Sequence, residues 1–174
     1  QDKWANGQLV VQLEFKDQDD KLSIDLNKVK AIFEFREIKI LRTNISKSSQ
    51  KKQEKHIKKQ FNIEILIPSE YTIIKDTAAL FWAIYNPEKQ EEIKHLFVFS
   101  FEPKAINLQQ EVLQKTDSIF SKYLLGAKQG QYVKIEDMFS PIYSENVFRG
   151  LWKLNGGFMG GAFLLKTYFI NKKV

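Results

Sequence analysis

Glycine and proline are unevenly distributed along this chain of 174 residues, and their distribution limits its fold more than any other feature. Neither residue occurs between positions 21 and 60, whereas seven of the eight glycines lie at or after Gly126. Glycine and proline interrupt helices, so the first stretch can be helical throughout while the C-terminal stretch must turn often. The chain is therefore predicted to be helical near its beginning and to form strands and tight turns near its end.

Apolar residues in the stretch without glycine recur at helical spacing. They lie three or four positions apart, with one change of phase near Phe35. These residues are Leu22, Leu26, Val29, Phe33, Ile38, Leu41 and Ile45. The pattern predicts either one long helix or two helices separated between residues 43 and 49.

Alternating or continuous apolar runs predict strands elsewhere in the chain. The segments are 9–16, 63–67, 71–74, 80–85, 96–101, 131–135, 148–154 and 158–170. A further helix is predicted from residue 108 to residue 125, with Asn107 as its N-cap. The predicted fold is a single α+β domain over residues 1–174, with the element order β-α-β-β-β-α-β-β-β. Its mostly antiparallel sheet carries two main helical segments on one face.

Much of the net charge of +6 lies in one lysine-rich stretch, residues 47–59. Its lysines are Lys47, Lys51, Lys52, Lys55, Lys58 and Lys59, against the single acid Glu54. Two interpretations are a basic patch for nucleic acid or another anionic ligand, and a solvated helix end. Surfaces that bind nucleic acid usually combine lysine with arginine and aromatic residues. This stretch contains neither, which favours the solvated helix end, and nucleic acid is not an expected partner.

The residues that catalysis and metal binding require are scarce. Cysteine is absent, and the two histidines, His56 and His95, have no neighbours at metal-ligand spacing. No Gly-x-Ser-x-Gly motif and no phosphate-binding glycine loop occurs, so neither a cofactor nor a metal is expected. One enzymatic alternative remains, a polymer hydrolase with carboxylates from Glu136, Asp137 and Glu145. Glu136 and Asp137 are adjacent, however, and adjacent strand residues point to opposite faces.

The segment from residue 148 to residue 154 combines arginine with aromatic residues. Its alternation predicts Arg149 and Lys153 on one face of a strand and Trp152 on the other. In the following strand, Gly160-Gly161 predicts a β-bulge or a close backbone approach. One interpretation puts Trp152 in the core and pairs Arg149 with an acid. The other makes Arg149, Trp152, Gly160 and Gly161 a partner-binding surface.

These residues carry a resemblance to a known family. The stretch Arg149-Gly150-Leu151-Trp152, followed by Phe158-Met159-Gly160-Gly161-Ala162-Phe163, resembles the C-terminal signature of domain-of-unknown-function family 4837. Further similarities are found at Trp4-Ala5 with Gln8, Ile67-Pro68 with Tyr71, Trp82, Gly126, Gly130 and Tyr132. The proline that follows Met-Gly-Gly in the family is Ala162 here. The prolines around the family's first glycine are Leu125 and Ala127, so this chain is a divergent member.

The resemblance implies a location and no mechanism. Members of the family are envelope lipoproteins of Bacteroidetes-type bacteria, held to the membrane only through a lipidated cysteine that this chain does not contain. They are longer, so the chain is expected to be part of a longer protein at the periplasm or the outer membrane surface. The function expected from the resemblance is a non-catalytic binding or assembly module of the cell envelope. Its partners would be envelope proteins or an envelope polymer, and the hydrolase alternative would act on that polymer.

Overall fold

The computed structural model describes residues 8–13, 26–88, 92–104, 106–170 and 173–174. Within these residues the chain forms three helices and seven strands. They are α1 (Leu26–Lys47), α2 (Lys51–Phe61), β1 (Thr72–Thr77), β2 (Leu80–Tyr85), β3 (Lys94–Phe99), α3 (Leu108–Tyr123), β4 (Tyr132–Ile135), β5 (Ile142–Ser144), β6 (Val147–Asn155) and β7 (Gly160–Lys166). The strands form two antiparallel sheets, and the predicted α+β class is confirmed.

The strands divide between the two sheets, where the sequence predicted one. The first sheet has the order β1-β2-β3, and the second contains β4, β5, β6 and β7. By contacts, the chain forms two compact units, Gln1–Ile74 with Trp82–Leu96, and Lys75–Phe81 with Phe97–Val174. The boundary crosses β1, β2 and β3, so each of these strands has residues in both units. That the whole chain is one domain stays a prediction.

The predicted helical stretch is two helices, α1 and α2, separated at residues 48–50. Helix α1 has 22 residues and none of them is buried. The change of phase near Phe35 explains this, because it spreads the apolar side chains around the helix instead of aligning them on one face. Helix α2 is amphipathic, since it buries Ile57 and Phe61 and exposes most of its lysines. It ends at Asn62, which adopts the left-handed conformation typical of a helix C-terminus.

Two predicted strands differ in the structure. Residues 8–13 form no strand, and the rest of the predicted first strand lies outside the described residues. Residues 63–67 form no strand either, and the contacts of Ile67 explain why. Its N–H donates to Glu54 Oε1 (3.0 Å), and its carbonyl accepts the N–H of Gln50 (2.9 Å). The beginning of α2 therefore satisfies the backbone groups that a neighbouring strand would otherwise bind.

The second sheet is organised around β6, which pairs with three strands. Phe148 faces Tyr143 of β5 and Leu165 of β7, while Trp152 faces Ile135 of β4 and Gly161 of β7. A strand has two edges, so β4 and β5 share one edge of β6 and β7 occupies the other. A turn that contains Gly156, with φ of 74°, connects β6 with β7.

Helix α3 lies in the same unit as the second sheet and covers one face of it. It buries Val112, Thr116 and Ile119. Asp117 Oδ1 accepts the N–H of Ile135 in β4 (2.6 Å), which fixes the helix to the edge of the sheet. Its predicted N-cap is confirmed, because the side chain of Asn107 accepts the N–H of Gln110 (3.1 Å).

We expect Glu54→Ala to lower the free energy of unfolding by about 1–3 kcal/mol, because the buried N–H of Ile67 would lose a charged acceptor. Burial opposes ionisation of Glu54, but the Ile67 N–H and Lys51 outweigh it, so the pKa of this carboxyl is lowered. Because its pKa is lowered, the ionised carboxylate stabilises the folded protein above pH 4.5. This stabilisation is lost as the pH falls through the pKa that Glu54 has in the folded protein. The difference between variant and wild type should therefore shrink as the pH falls below 4.5 and through the lowered pKa of the folded state.

Urea unfolding at neutral and acidic pH measures this difference. Glu64→Gln is the matched control, since Glu64 is largely exposed and its ion pair with Lys58 lies at the surface. Equal stability losses for Glu54→Ala and Glu64→Gln would contradict the role given to Glu54.

Candidate functional site

The face of the second sheet that points away from the core carries an exposed row of side chains around Arg149. Register places Arg149 directly between Ile142 of β5 and Leu164 of β7. Ile142 is 70% exposed and Leu164 is 74% exposed, and Leu151, the next residue on this face of β6, is also exposed. We call this set, Ile142, Arg149, Leu151 and Leu164, the outer row. Two large aliphatic side chains thus flank a guanidinium in solvent.

The opposite face of β6 and β7 packs glycines against aromatic rings. A Cβ atom on Gly161 would lie 2.8 Å from Nε1 of Trp152, and one on Gly150 would lie 2.7 Å from ring atoms of Phe163. Trp152 and Gly161 are cross-strand partners, and so are Gly150 and Phe163. Each ring therefore lies over the glycine opposite to it. The ring of Phe163 also meets Phe120 of α3 edge-on, with centroids 5.9 Å apart.

The four predicted partner-binding residues do not form one surface. Arg149 and Gly160 lie on the outer face, whereas Trp152 and Gly161 lie on the inner face. The predicted separation of Arg149 and Lys153 from Trp152 is confirmed. The predicted bulge is wrong, because the β6–β7 register runs without an extra residue from Lys153–Gly160 to Val147–Lys166. Its alternative, a close approach to the backbone, is confirmed at Gly161 by the Trp152 ring.

The side chain of Arg149 has no ion pair or hydrogen bond within the described part of the chain, so the predicted pairing with an acid is not found there. The charges nearby are engaged with one another instead. Lys153 Nζ lies 2.9 Å from Glu136 Oε1 and 2.9 Å from Asp137 Oδ2, while Lys134 Nζ lies 2.8 Å from the same oxygen of Asp137. Two lysines and two acids thereby neutralise each other beside the outer row.

Glu136 and Asp137 meet at Lys153, which the argument from adjacent strand residues did not foresee. Strand β4 ends at Ile135, so the alternation of a strand no longer applies to them. The N–H of Met138, followed by Lys153, lowers the pKa of Glu136, and Lys134 followed by Lys153 lowers the pKa of Asp137. Both groups are therefore ionised at neutral pH, and neither is suited to donate a proton as a glycosidase acid must.

Glu145, the third carboxylate, lies elsewhere on the sheet. It occupies the turn between β5 and β6 with φ of 52°, beside the pair Ser144–Val147. Glu136 is bound through its N–H to the carbonyl of Leu151 (2.8 Å), four residues further along β6. Four strand residues span about 13 Å. The three carboxylates of the hydrolase alternative therefore do not converge.

Of the lysine-rich stretch, Lys47 ends α1 and the other five lysines, the predicted basic patch, lie on α2. Lys51 pairs with Glu54 (3.4 Å), and Lys58 pairs with Glu64. The remaining three, Lys52, Lys55 and Lys59, are exposed and lie three and four residues apart on one side of the helix. This placement agrees with a solvated helix face.

Within the described residues, neither His95 nor the groove beside α3 adds a second site. Nδ1 of His95 accepts a hydrogen bond from the indole N–H of Trp82 (3.2 Å). Burial lowers the pKa of His95. Across the described residues, no cluster suited to a metal ion is found, and none of the helices has the length and apolar character of a membrane span.

A groove of about 620 Å³ lies between residues 101–104 and α3. Glu111 in its wall already accepts the N–H of Lys104 with both oxygens (2.9 and 2.8 Å).

A family model matches most of the chain. The family model described as Domain of unknown function (DUF4837) matches residues 49–173, which is more than two thirds of the chain. The match begins between α1 and α2 and includes the segment from residue 149 to residue 163. The similarities at Trp4-Ala5 and Gln8 lie outside it. No curated protein and no solved structure matches the chain.

We expect Gly161→Ala to lower the free energy of unfolding by about 1–3 kcal/mol, because the new methyl group would displace the Trp152 ring. In a Trp152→Leu background the same substitution should cost less, since the smaller side chain leaves space. A double-mutant cycle by urea unfolding measures this coupling.

Gly160→Ala is the control for that cycle. Its methyl group would point to the outer face, where the nearest atom is the Trp152 carbonyl oxygen at 3.0 Å, and its effect should not depend on the residue at position 152. Identical costs of Gly161→Ala in both backgrounds would show that the ring does not rest on this glycine.

Proposed function

This chain belongs to the DUF4837 family, whose function is unknown, and we propose that it is a non-catalytic binding module that holds a partner on its outer row. The observation that supports this most is Arg149, a guanidinium between two exposed aliphatic side chains. The neighbouring signature residues Gly150, Trp152, Gly161 and Phe163 have a structural role, because they form the glycine–aromatic pairs. Arg149 has no such role, because it faces solvent and its side chain forms no hydrogen bond or ion pair within the described residues.

The chemistry of the outer row favours an acidic partner with apolar surroundings. Large side chains exposed side by side gain free energy when another surface covers them. Arginine is enriched at the centres of interfaces, where it binds carboxylates through two parallel hydrogen bonds. Lys153, the lysine on β6, is engaged with Glu136 and Asp137, so Arg149 is the cation of this strand that remains available. A carboxylate flanked by apolar residues matches this arrangement.

The proposed setting is the bacterial cell envelope, at the periplasm or the outer membrane surface. The resemblance in the signature supports it, because members of that family are envelope lipoproteins. The partner would then be an envelope protein that presents an acidic side chain, with an envelope polymer as the less favoured choice. A polymer of neutral sugars offers no carboxylate to Arg149, whereas a folded protein presents carboxylate and apolar groups together.

We expect Arg149→Ala to weaken capture of the partner by about 30-fold, as removal of a central interface arginine does. The free energy of unfolding should change by less than about 0.5 kcal/mol, because Arg149 is exposed and its side chain has no polar partner in the described part of the chain. The measurement is quantitative co-purification of the full-length protein from a detergent extract of its envelope, with mass spectrometry of the bound proteins. Thermal unfolding of each variant is recorded in parallel.

Two control variants sharpen the result. Lys128→Ala removes one positive charge from the same unit at an exposed loop, and capture should be unaffected. Arg149→Lys keeps the charge without the planar fork and should recover only part of the capture. If Arg149→Ala retains every stoichiometric partner, or if it unfolds the protein, the outer row is not the binding surface.

A further inference from the structure

Strand β7 forms one edge of the second sheet. It pairs with β6 over seven consecutive residues, Gly160–Lys166. On its other side, no strand of the described chain pairs with it. An unpaired edge exposes a row of backbone N–H and C=O groups, which is a template for another strand.

Two hydrogen bonds at the ends of the pairing show which residues point outward from this edge. The N–H of Leu154 donates to the carbonyl of Met159 (2.8 Å), and the N–H of Thr167 donates to the carbonyl of Asn146 (2.8 Å). In an antiparallel ladder, these bonds make Lys153–Gly160 and Val147–Lys166 non-hydrogen-bonded pairs. The backbone groups of β7 that point away from β6 therefore belong to Gly160, Ala162, Leu164 and Lys166. All four residues are exposed.

The edge lacks most features that keep strands from pairing with other chains. It contains no proline and no bulge, and its only charge is Lys166 at its end. Its centre carries Leu164, which is 74% exposed. A second strand placed beside β7 would satisfy the backbone groups and cover part of Leu164.

We propose that two copies of this chain associate through antiparallel pairing of their β7 strands about a two-fold axis at Phe163. In this register Ala162 faces Leu164 of the second copy, and Gly160 faces Lys166 of the second copy. In each of the two central pairs, the small Ala162 of one copy therefore lies opposite the large Leu164 of the other. Pairing of the four outward residues on each strand forms a continuous ladder across the axis.

The charges of β7 fit this register. The two Lys166 side chains lie at opposite ends of the ladder, six residues or about 20 Å apart, and each is opposite a glycine. No like charges face each other, and no side chain opposes the lysine. The ring of Phe163 packs over Gly150 of β6, away from the edge, so the axis itself is not obstructed.

The dimer would place two outer rows on the same side. A two-fold axis perpendicular to a sheet preserves its faces, so both Arg149 residues would point in one direction. From three strand spacings and a two-residue offset, their Cα atoms would be about 16 Å apart. Two binding surfaces at this distance could engage one elongated partner and raise its apparent affinity.

The absence of cysteine makes the register directly testable. Ala162→Cys and Leu164→Cys each place one exposed thiol on the outer face. In the proposed register, positions 162 and 164 of different copies are opposite each other, with Cα atoms about 5.5 Å apart. A disulfide requires less than about 7 Å. The Cα atoms of position 162 in the two copies are about 8 Å apart, and so are those of position 164. Both distances are too long for a disulfide.

We therefore expect a mixture of the two full-length variants to form a disulfide-linked heterodimer under mild oxidation, at least ten times more than either variant alone. Equal cross-linking in all three samples would overturn the register. The mass of the wild type, from light scattering, should rise from monomer towards dimer with concentration, since a strand edge is a small interface. A mass that stays monomeric, or a dimer that Ala162→Pro leaves intact while remaining folded, would overturn the proposal.

Arg149→Ala separates this proposal from the binding function. The substitution lies on β6 and does not touch the edge, so dimerisation should persist while partner capture falls. Loss of dimerisation in Ala162→Pro with partner capture retained would complete the separation and show that the two activities are independent.

Discussion

Reciprocal packing of glycine and aromatic residues across β6 and β7 is the interaction on which the second unit depends. Trp152 lies over Gly161, and Phe163 lies over Gly150, so each strand supplies one ring and one glycine. The pairs fix the register, because a shift by one residue would move both rings to the other face of the sheet. They also decide what the opposite face presents. With the rings turned towards α3, the alternation of β6 directs Arg149 and Leu151 into solvent.

The signature segment therefore contains two kinds of residues. Gly150, Trp152, Gly161 and Phe163 form the packing. Arg149, Phe158 and Met159 are exposed, the latter two in the turn between β6 and β7. Packing explains the first group without reference to a partner. The exposed residues have no comparable structural role, and this contrast is why the outer row rather than Trp152 supports the proposed binding function.

Period and spacing left open whether the long helical stretch is one helix or two, but they were enough to predict the α+β class, the cap at Asn107 and the faces of Arg149 and Trp152. Each of these follows from a local rule that needs no knowledge of neighbours. The failures involve distant partners. The residues before Ile67 alternate like a strand, but the Glu54 carboxylate binds the backbone that a strand would pair. Strand β5 was missed because it is short and because its turn, Glu145-Asn146, uses left-handed residues without glycine. Without β5, the sequence could not place Ile142 beside Arg149.

The glycine–aromatic pairs also have a consequence for how this sequence can change over generations. A side chain at position 161 is tolerated only if position 152 becomes smaller, and the same holds for positions 150 and 163. Either single step passes through a less stable protein, so the two members of a pair are inherited as a unit. Descendants would be expected to keep both residues of a pair or to have replaced both.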